Sequence, residues 1–236
     1  MDQTNKVAVV TGGAAGIGEA IARRLAASGH TMVIGDLSIV EPSETAHPLD
    51  VTDPDSCRTF VAAVLDRYGR LDVLVNNAGI NHRRTAAETT REDWDRIIGT
   101  NLGGTFTMSV AAYAALRASN GCVVNLGSTS GHVAIAGAAA YGVSKAAIMH
   151  LTRVLALEWA GDRIRVNAVA PTIVETAMTA DVLNDPEYMT AKLASIPLGR
   201  MVTREDVAGA VAYLTSADAV SVTGQVLFVD GGVSIV

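Results

Sequence analysis

The sequence predicts a doubly wound α/β domain, in which about seven parallel strands carry helices on both faces. Short apolar runs rich in β-branched residues alternate with alanine-rich stretches along the 236-residue chain. The runs are continuously apolar, as strands covered on both faces must be. Alternation of strand and helix favours right-handed crossovers and a parallel sheet, and a ligand crevice beyond the carboxyl ends of the strands.

Each predicted element follows from this alternation. The strands are the short β-branched runs Val7–Thr11, Thr31–Gly35, Pro48–Val51, Val73–Val75, Cys122–Leu126, Arg165–Ala170 and Val226–Val229. The helices are the stretches between them, near 17–28, 54–68, 91–118, 139–160, 186–195 and 204–215. We expect one domain over residues 1–236, with a substrate loop at about 172–200 after the sixth strand.

Composition excludes several classes of protein. Hydrophobic residues make up 49% of the chain and charged residues 18%, which argues against disorder. The net charge of −6 argues against binding to a nucleic-acid backbone or a membrane surface. No apolar run reaches the roughly 18 residues of a membrane span. Cys57 and Cys122 are too few for a disulfide framework and fit free thiols, so we expect a cytoplasmic protein.

A glycine-rich stretch, Thr11–Gly18, joins the first strand to the first helix. Glycines there permit a tight turn and close approach of a pyrophosphate to the helix N-terminus, although a purely structural turn is the alternative. Asp36 ends the second strand, where its carboxylate can accept both ribose hydroxyls of NAD and repel the 2′-phosphate of NADP. The other interpretation of Asp36 is a helix or turn cap. We expect NAD as the cofactor.

Tyr141 and Lys145 lie four residues apart on a predicted helix, and therefore on one face. A nearby ammonium lowers a tyrosine pKa and suits the phenol to proton transfer, but a surface tyrosine beside a solvated lysine is the alternative. Ser128 follows the fifth strand and can hydrogen-bond a substrate oxygen. Thr129 and Ser130 compete with it for that role.

These motifs, with Asn76-Asn77-Ala78-Gly79 and the C-terminal Val229-Asp230-Gly231-Gly232, resemble the short-chain dehydrogenase/reductase family in its single-domain branch. The resemblance covers essentially the whole chain. It implies a Rossmann-like fold and a homotetrameric or dimeric oxidoreductase that transfers hydride between a nicotinamide and a secondary alcohol or carbonyl. It also implies that Asn101 joins Ser128, Tyr141 and Lys145 as a catalytic tetrad and holds a water beside the lysine; a kink or cap is the alternative for Asn101.

The resemblance further implies a set of cofactor contacts, each of which turn chemistry could also explain. They are Gly12, Gly16, Ile17, Gly18, Asp36, Asp50, Val51, Asn77, Ala78, Gly79, Tyr141, Lys145, Pro171, Val174 and Thr176. No metal is expected, because the five histidines show no ligand spacing.

The chain departs from the family pattern in two places. Leu37 to Leu49 is a short connection broken by Pro42 and Pro48, which allows a turn or two of helix at most where the family has a full crossover helix. We therefore expect a more open adenine side. Thr172 follows Pro171 where the family usually has glycine, and a β-branched residue resists positive φ.

Substrate contacts are expected after Gly79, after Ser128 and in the 172–200 segment. The candidates are His82, Arg83, His132 and Met178. Arg83 or Arg84 can pair with a substrate carboxylate, although solvated arginines are the alternative. We expect a small polyol, sugar or sugar acid as substrate.

Two other functions stay open. A 3-ketoacyl thioester reductase using NADPH is disfavoured by Asp36 and by the acidic balance. A non-catalytic nucleotide-binding protein is disfavoured because Ser128, Tyr141 and Lys145 are all present.

Overall fold

The computed structural model describes residues 6–235 and confirms the doubly wound parallel sheet. Its strands are β1 (Val7–Thr11), β2 (Thr31–Asp36), β3 (Ala46–Pro48), β4 (Val73–Asn76), β5 (Cys122–Leu126), β6 (Arg165–Pro171) and β7 (Val226–Val229). The spatial order is β3-β2-β1-β4-β5-β6-β7, and all neighbours pair in parallel. The order reverses between β1 and β4, and ligands bind at such a reversal.

Eight α-helices connect the strands within the described residues. They are α1 (Gly16–Ala27), α2 (Pro54–Tyr68), α3 (Arg91–Ile98), α4 (Gly104–Ser119), α5 (Ala139–Trp159), α6 (Ala180–Leu183), α7 (Pro186–Ala194) and α8 (Arg204–Thr215). Helix starts are set by short polar side chains. Asp53 accepts a hydrogen bond from the Asp55 amide ahead of Pro54, and Thr203 and Asp206 form a capping box on α8.

Two hydrophobic cores cover the two faces of the sheet. In β1, Val7 and Val9 pack into the core formed with α2, α4 and α5, whereas Ala8 and Val10 pack into the core formed with α1 and α8. Successive residues of a strand point to opposite faces, so a doubly covered strand must be apolar throughout. This explains the continuous apolar runs of the sequence.

The third strand lies earlier than predicted. The sequence predicts Pro48–Val51, but β3 is Ala46–Pro48 because Ile34, Gly35 and Asp36 of β2 pair with Ala46, His47 and Pro48. The chain leaves the sheet after Pro48, and the Asp50 amide bonds to the Ser56 hydroxyl instead of to a strand.

Three connections differ from a plain alternation of strand and helix. The helix predicted over 91–118 contains a π-helical segment, Gly99–Gly103, between α3 and α4, since its glycines hold the α-helical backbone weakly. Residues 37–45 contain no helix, which agrees with the expected short crossover. The 172–200 segment carries α6 and α7.

No helix within residues 6–235 has the length and apolar character needed to cross a membrane. Both cysteines are buried free thiols. In the part of the chain that the structure describes, no three histidine, cysteine or acidic side chains gather in a metal-binding arrangement.

Candidate active site

A cavity of about 1300 Å³ opens at the carboxyl ends of the strands. Ligand pockets usually measure about 300–1,000 Å³, so this cavity has room for a dinucleotide and a small second ligand. One end lies at the β1–α1 loop and Asp36, and the other at Tyr141 and Lys145.

The loop between β1 and α1 fits a pyrophosphate. Gly12 and Gly16 have φ values of 62° and 61°, which favour glycine. A Cβ on Gly12 would lie 2.9 Å from the Cα of Ala78, so a larger residue would collide with the loop that follows β4. The residue that precedes α1, Ala15, offers no side-chain cap. The first amides of α1 are therefore available to an anion, which the helix dipole also favours.

Asn77 fixes this loop from the side of β4. Its Nδ2 donates to the carbonyls of Thr11 and Gly12 at 3.0 and 2.8 Å, and the Thr11 hydroxyl accepts from the amides of Asn77 and Ala78. Sequence analysis missed the role of Thr11, which only the meeting of two strand ends reveals.

Asp36 is held as a carboxylate at the edge of the cavity. Its oxygens accept hydrogen bonds from the Ser38 amide and hydroxyl, at 2.9 and 2.7 Å, and from the Ala14 amide at 3.1 Å. Burial alone would raise the Asp36 pKa, but these three donors outweigh it and leave the pKa below its ordinary value. A negative charge therefore stands where the ribose end of a dinucleotide would lie.

The adenine side of the cavity is formed by Asp50, Val51 and Leu37. Asp50 accepts hydrogen bonds from the amide and hydroxyl of Thr52. Gly104, the first residue of α4, lets Val51 approach, because a Cβ there would lie 2.5 Å from the valine methyl group. Leu37 is 75% exposed, so this side is open, as the short crossover predicts.

Tyr141 and Lys145 project from the first turns of α5 into the opposite end of the cavity. The Lys145 Nζ lies 5.6 Å from the centre of the tyrosine ring and donates to the Leu126 carbonyl at 2.7 Å. Ser128, just past β5, lies near Tyr141, and its hydroxyl lowers the pKa of the tyrosine. It also accepts from the Ser130 amide at 3.1 Å.

The pKa values here differ from the expectation that Lys145 holds the pKa of Tyr141 down. Burial raises the pKa of Tyr141, and the groups that oppose burial are the Ser128 hydroxyl and the Arg83 guanidinium. Burial also lowers the pKa of Lys145 to about 8. Burial thus destabilises the charged form of Lys145 itself. Its partner is the main-chain carbonyl of Leu126, a contact that no sequence pattern predicts.

Asn101 is fully buried in the π-helical segment and does not line the cavity. Its Nδ2 donates to the Ile80 carbonyl and to the Ser144 hydroxyl, both at 3.0 Å, and its Oδ1 accepts from the Ile80 amide at 2.8 Å. Both amide protons are committed, so a bound water would have only the remaining lone pair of Oδ1. A Cβ on Gly79 would lie 3.1 Å from that oxygen and 3.7 Å from the Lys145 Nζ, which brings the two side chains near one point.

The other expected cofactor residues divide into two groups. Those that line the cavity are Gly12, Gly16, Ile17, Asp36, Asp50, Val51, Asn77, Ala78, Gly79, Tyr141, Lys145, Pro171 and Thr176. Gly18 and Val174 do not. A Cβ on Gly18 would lie 2.1 Å from the Gly12 carbonyl oxygen, so this glycine serves the packing of α1 on its own loop. Val174 packs with α8 in the hydrophobic core.

Thr172 causes no backbone strain. Asn120 and Arg163 are the non-glycine residues with positive φ in the described chain, so Thr172 has the negative φ that a β-branched residue prefers. Its amide donates to the Val229 carbonyl. Its buried hydroxyl has no hydrogen-bond partner among residues 6–235.

The four expected substrate residues lie in different surroundings. Met178 lines the cavity and is half exposed. His82 pairs with Asp93 at 3.3 Å, and His132 stacks on Phe228 with the ring centres 5.0 Å apart. Arg83 contacts Tyr188 of α7. Sequence analysis missed Tyr188, because nothing in the sequence brings α7 to the loop after β4.

Comparison with known proteins agrees with this site. The sequence profile described as enoyl-(acyl carrier protein) reductase matches residues 12–234. The 3-oxoacyl-(acyl-carrier-protein) reductase FabG of Thermotoga maritima is 41% identical over 244 residues, which cover 98% of each chain. Meso-2,3-butanediol dehydrogenase of Serratia marcescens is 38% identical over 239 residues, which cover 97% of this chain and 94% of the relative.

A solved structure shows the same architecture at high similarity. The crystal structure of gox2181 matches with a TM-score of 0.94 and 34% identity, over 99% of this chain and 97% of that one. The sheet order, the glycine loop, the Tyr141–Lys145 pair and these matches over nearly the full length lead to one conclusion. The chain belongs to the short-chain dehydrogenase/reductase family, whose members are oxidoreductases that act on alcohols and ketones with a nicotinamide cofactor.

Proposed function

We propose that this protein is an NAD-dependent dehydrogenase that interconverts small secondary alcohols and ketones, with a polyol, sugar or sugar acid as substrate. The observation that carries the proposal is the position of Tyr141. Tyr141 lines the same cavity as the glycine loop, with Ser128 near it and the Lys145 Nζ 5.6 Å from the centre of its ring. Similarity to meso-2,3-butanediol dehydrogenase supports a small diol or polyol.

The proposed chemistry assigns one task to each side chain. In the oxidative direction, the Tyr141 phenolate removes the proton of the substrate hydroxyl while Ser128 donates a hydrogen bond to the same oxygen. Lys145, protonated below its pKa of about 8, adds positive charge near the phenolate. A nicotinamide dinucleotide held at Gly12, Gly16 and Asp36 would supply the hydride acceptor for the alcohol carbon. In the reductive direction, Tyr141 returns the proton to the ketone oxygen.

Asp36 supports NAD over NADP. Its carboxylate stays ionised because Ser38 and Ala14 donate to it. A 2′-phosphate would meet this charge, and Ala14 and Leu37 offer no compensating cation. Ribose hydroxyls can instead donate to the carboxylate.

A second candidate is reduction of a 3-ketoacyl thioester with NADPH. The 41% identity to a 3-oxoacyl-(acyl-carrier-protein) reductase favours it. The Asp36 carboxylate argues against this candidate, because it would repel the 2′-phosphate of NADPH.

The test measures reduced nicotinamide by absorbance with 2,3-butanediol, polyols and sugar acids, and its consumption with acetoacetyl-coenzyme A, each with the NAD and NADP forms side by side. We expect turnover of an alcohol or sugar acid with NAD. Turnover confined to the thioester with NADPH would overturn the proposal in favour of the second candidate.

The Tyr141→Phe variant tests the assigned base. It keeps the ring and removes the hydroxyl, so turnover should fall by about 10²–10⁴-fold, the usual contribution of general acid–base catalysis. The Kd for NADH, measured by fluorescence, should change by less than about threefold. A variant with undiminished turnover would contradict the role of Tyr141.

We also propose a homotetramer. The surfaces of α4 and α5 expose apolar side chains, among them Phe106, Val110, Val143 and Leu157, the last 82% exposed. Exposed apolar patches of this kind mark protein interfaces.

A further inference from the structure

Two segments from distant parts of the sequence meet beside the catalytic end of the cavity. Arg83 lies in the loop after β4, and Tyr188 lies in α7. The Arg83 Nη2 lies 3.4 Å from the Tyr188 hydroxyl, and the guanidinium carbon lies 5.5 Å from the centre of the tyrosine ring. This contact joins the 172–200 segment to the loop after β4.

Arg83 differs from the basic residues around it. Arg96, His82 and Arg84 all approach the carboxylate of Asp93, at 3.0, 3.3 and 4.0 Å. Arg83 lies within 4 Å of no carboxylate in the described residues. One carboxylate thus contacts three basic side chains, two of them arginines, while Arg83 lies outside this cluster.

The contact with Tyr188 leaves an N–H edge of Arg83 available. The guanidinium presents five N–H donors in a planar fork, and the Tyr188 hydroxyl engages the Nη2 group. Its one contact to an oxygen, the Tyr188 hydroxyl at 3.4 Å, is long for a hydrogen bond. A carboxylate could accept two short N–H bonds from this edge without displacing Tyr188.

The charge of Arg83 also reaches the reacting group. It is among the influences that lower the pKa of Tyr141 against the effect of burial. Gly79 and Ile80, which precede Arg83 in the same loop, line the cavity, so an anion bound by Arg83 would lie beside it.

We propose that Arg83 is the receptor for a carboxylate on the substrate and that Tyr188 positions its guanidinium. The substrate class is then a hydroxy acid, oxidised at a secondary alcohol carbon, or the matching keto acid in the reverse direction. This inference rests on the proposed dehydrogenase function and narrows its substrate.

The experiment compares acids with their neutral primary amides. Gluconate with gluconamide and 3-hydroxybutyrate with 3-hydroxybutyramide are matched in shape and differ in charge. With the wild-type protein and NAD, we expect kcat/KM for the acid to exceed that for the amide in the pair that is turned over. In Arg83→Gln, the acid-to-amide ratio should fall by about 10- to 100-fold, as for loss of a hydrogen bond to a charged group.

Three further variants separate this role from general damage. Arg84→Gln is the matched control, since Arg84 belongs to the Asp93 cluster, and it should keep the acid-to-amide ratio within about threefold. Tyr188→Ala should lower the ratio by raising KM for the acid. Tyr188→Phe retains the stacking ring and should restore the ratio.

The outcomes distinguish the two proposals. Turnover of neutral alcohols with equal rates for acid and amide, or a ratio that Arg83→Gln leaves unchanged, would overturn the carboxylate receptor and leave the dehydrogenase proposal standing. Failure to turn over any alcohol or acid with NAD would overturn the proposed function, and this inference with it.

Discussion

Lys145 carries its amino group into the protein interior, where burial lowers its pKa from the ordinary 10.5 to about 8. Below pH 8 the folded protein must hold a charge that its interior disfavours, at a cost of about 3 kcal/mol. Between pH 8 and 10.5 the unfolded chain binds more protons than the folded one, so this cost shrinks as the pH rises. Lys145 therefore opposes folding at neutral pH, as residues placed for function often do.

We expect Lys145→Met to raise the free energy of unfolding by about 1–2 kcal/mol at pH 7, since the lost hydrogen bond to Leu126 offsets part of the gain. The gain should shrink as the pH rises and turn into a small loss by about pH 10, where the charge cost has nearly vanished and the lost hydrogen bond remains. Urea unfolding at pH 7, 8.5 and 10 measures it. Lys192→Met on α7, where the lysine is partly exposed, is the control for the loss of a lysine side chain outside the interior. A stability difference for Lys145→Met that stays constant with pH would contradict the argument.

Tyr141 should impose a pH dependence on oxidation. Its raised pKa means that the phenolate is a minor species at neutral pH, so kcat/KM for the alcohol should rise about tenfold per pH unit between pH 6 and 7.5, where Lys145 stays protonated. Ketone reduction uses the protonated form and should stay nearly constant there. Ser128→Ala removes a hydroxyl that lowers the Tyr141 pKa and should move the rising limb of the pH profile to higher pH. Initial rates in both directions would show this, and an unmoved limb would count against the Ser128 contact.

Residue identities were predictable where chemistry demands a particular side chain at a strand end. Asp36, Ser128, Tyr141 and Lys145 lie at the cavity or beside it, as expected. The Asn101 side chain bonds the main chain of Ile80, and its role in holding a water stays a prediction. A sequence shows that an asparagine is present, but it does not show which groups the side-chain amide bonds.

The π-helical segment Gly99–Gly103 depends on one side chain. Asn101 bonds both main-chain groups of Ile80, so Asn101→Leu would leave a partly buried N–H and a partly buried carbonyl without this partner. We expect the free energy of unfolding to fall by about 2–4 kcal/mol. Thermal or urea unfolding would measure the loss. A destabilisation below about 1 kcal/mol would indicate that Ile80 finds other partners.

Elements were predicted best where propensity and burial agree. The helix predicted over 204–215 has the same bounds as α8, because a capping box fixes where α8 begins. The error at β3 has a different origin. Residues 46–51 are all compatible with an extended chain, and only the pairing with β2 decides that the strand stops at Pro48. That pairing joins separate segments of the chain, and the sequence pattern around β3 does not predict it.

At the scale of the whole molecule, the exposed apolar side chains of α4 and α5 predict assembly. Four copies of the 24.4 kDa chain have a mass of about 98 kDa, which light scattering after gel filtration would detect. Phe106→Glu places a charge on this surface and should shift the protein to smaller species. Val40→Glu is the control, because Val40 is equally apolar and 84% exposed but lies on the β2–β3 connection. A monomeric wild-type protein would contradict the assembly.

The short β2–β3 connection also has a consequence for the cooperativity of the fold. Residues 37–45 place no helix over the edge strand β3, so this corner buries little apolar surface of its own and can open without the rest of the sheet. Asp36 is at the same corner and contacts the Ala14 amide across it. A dinucleotide that binds both residues would hold the corner closed and withdraw it from local unfolding. Nucleotide occupancy would then decide whether the sheet behaves as six strands with a loose edge or as seven.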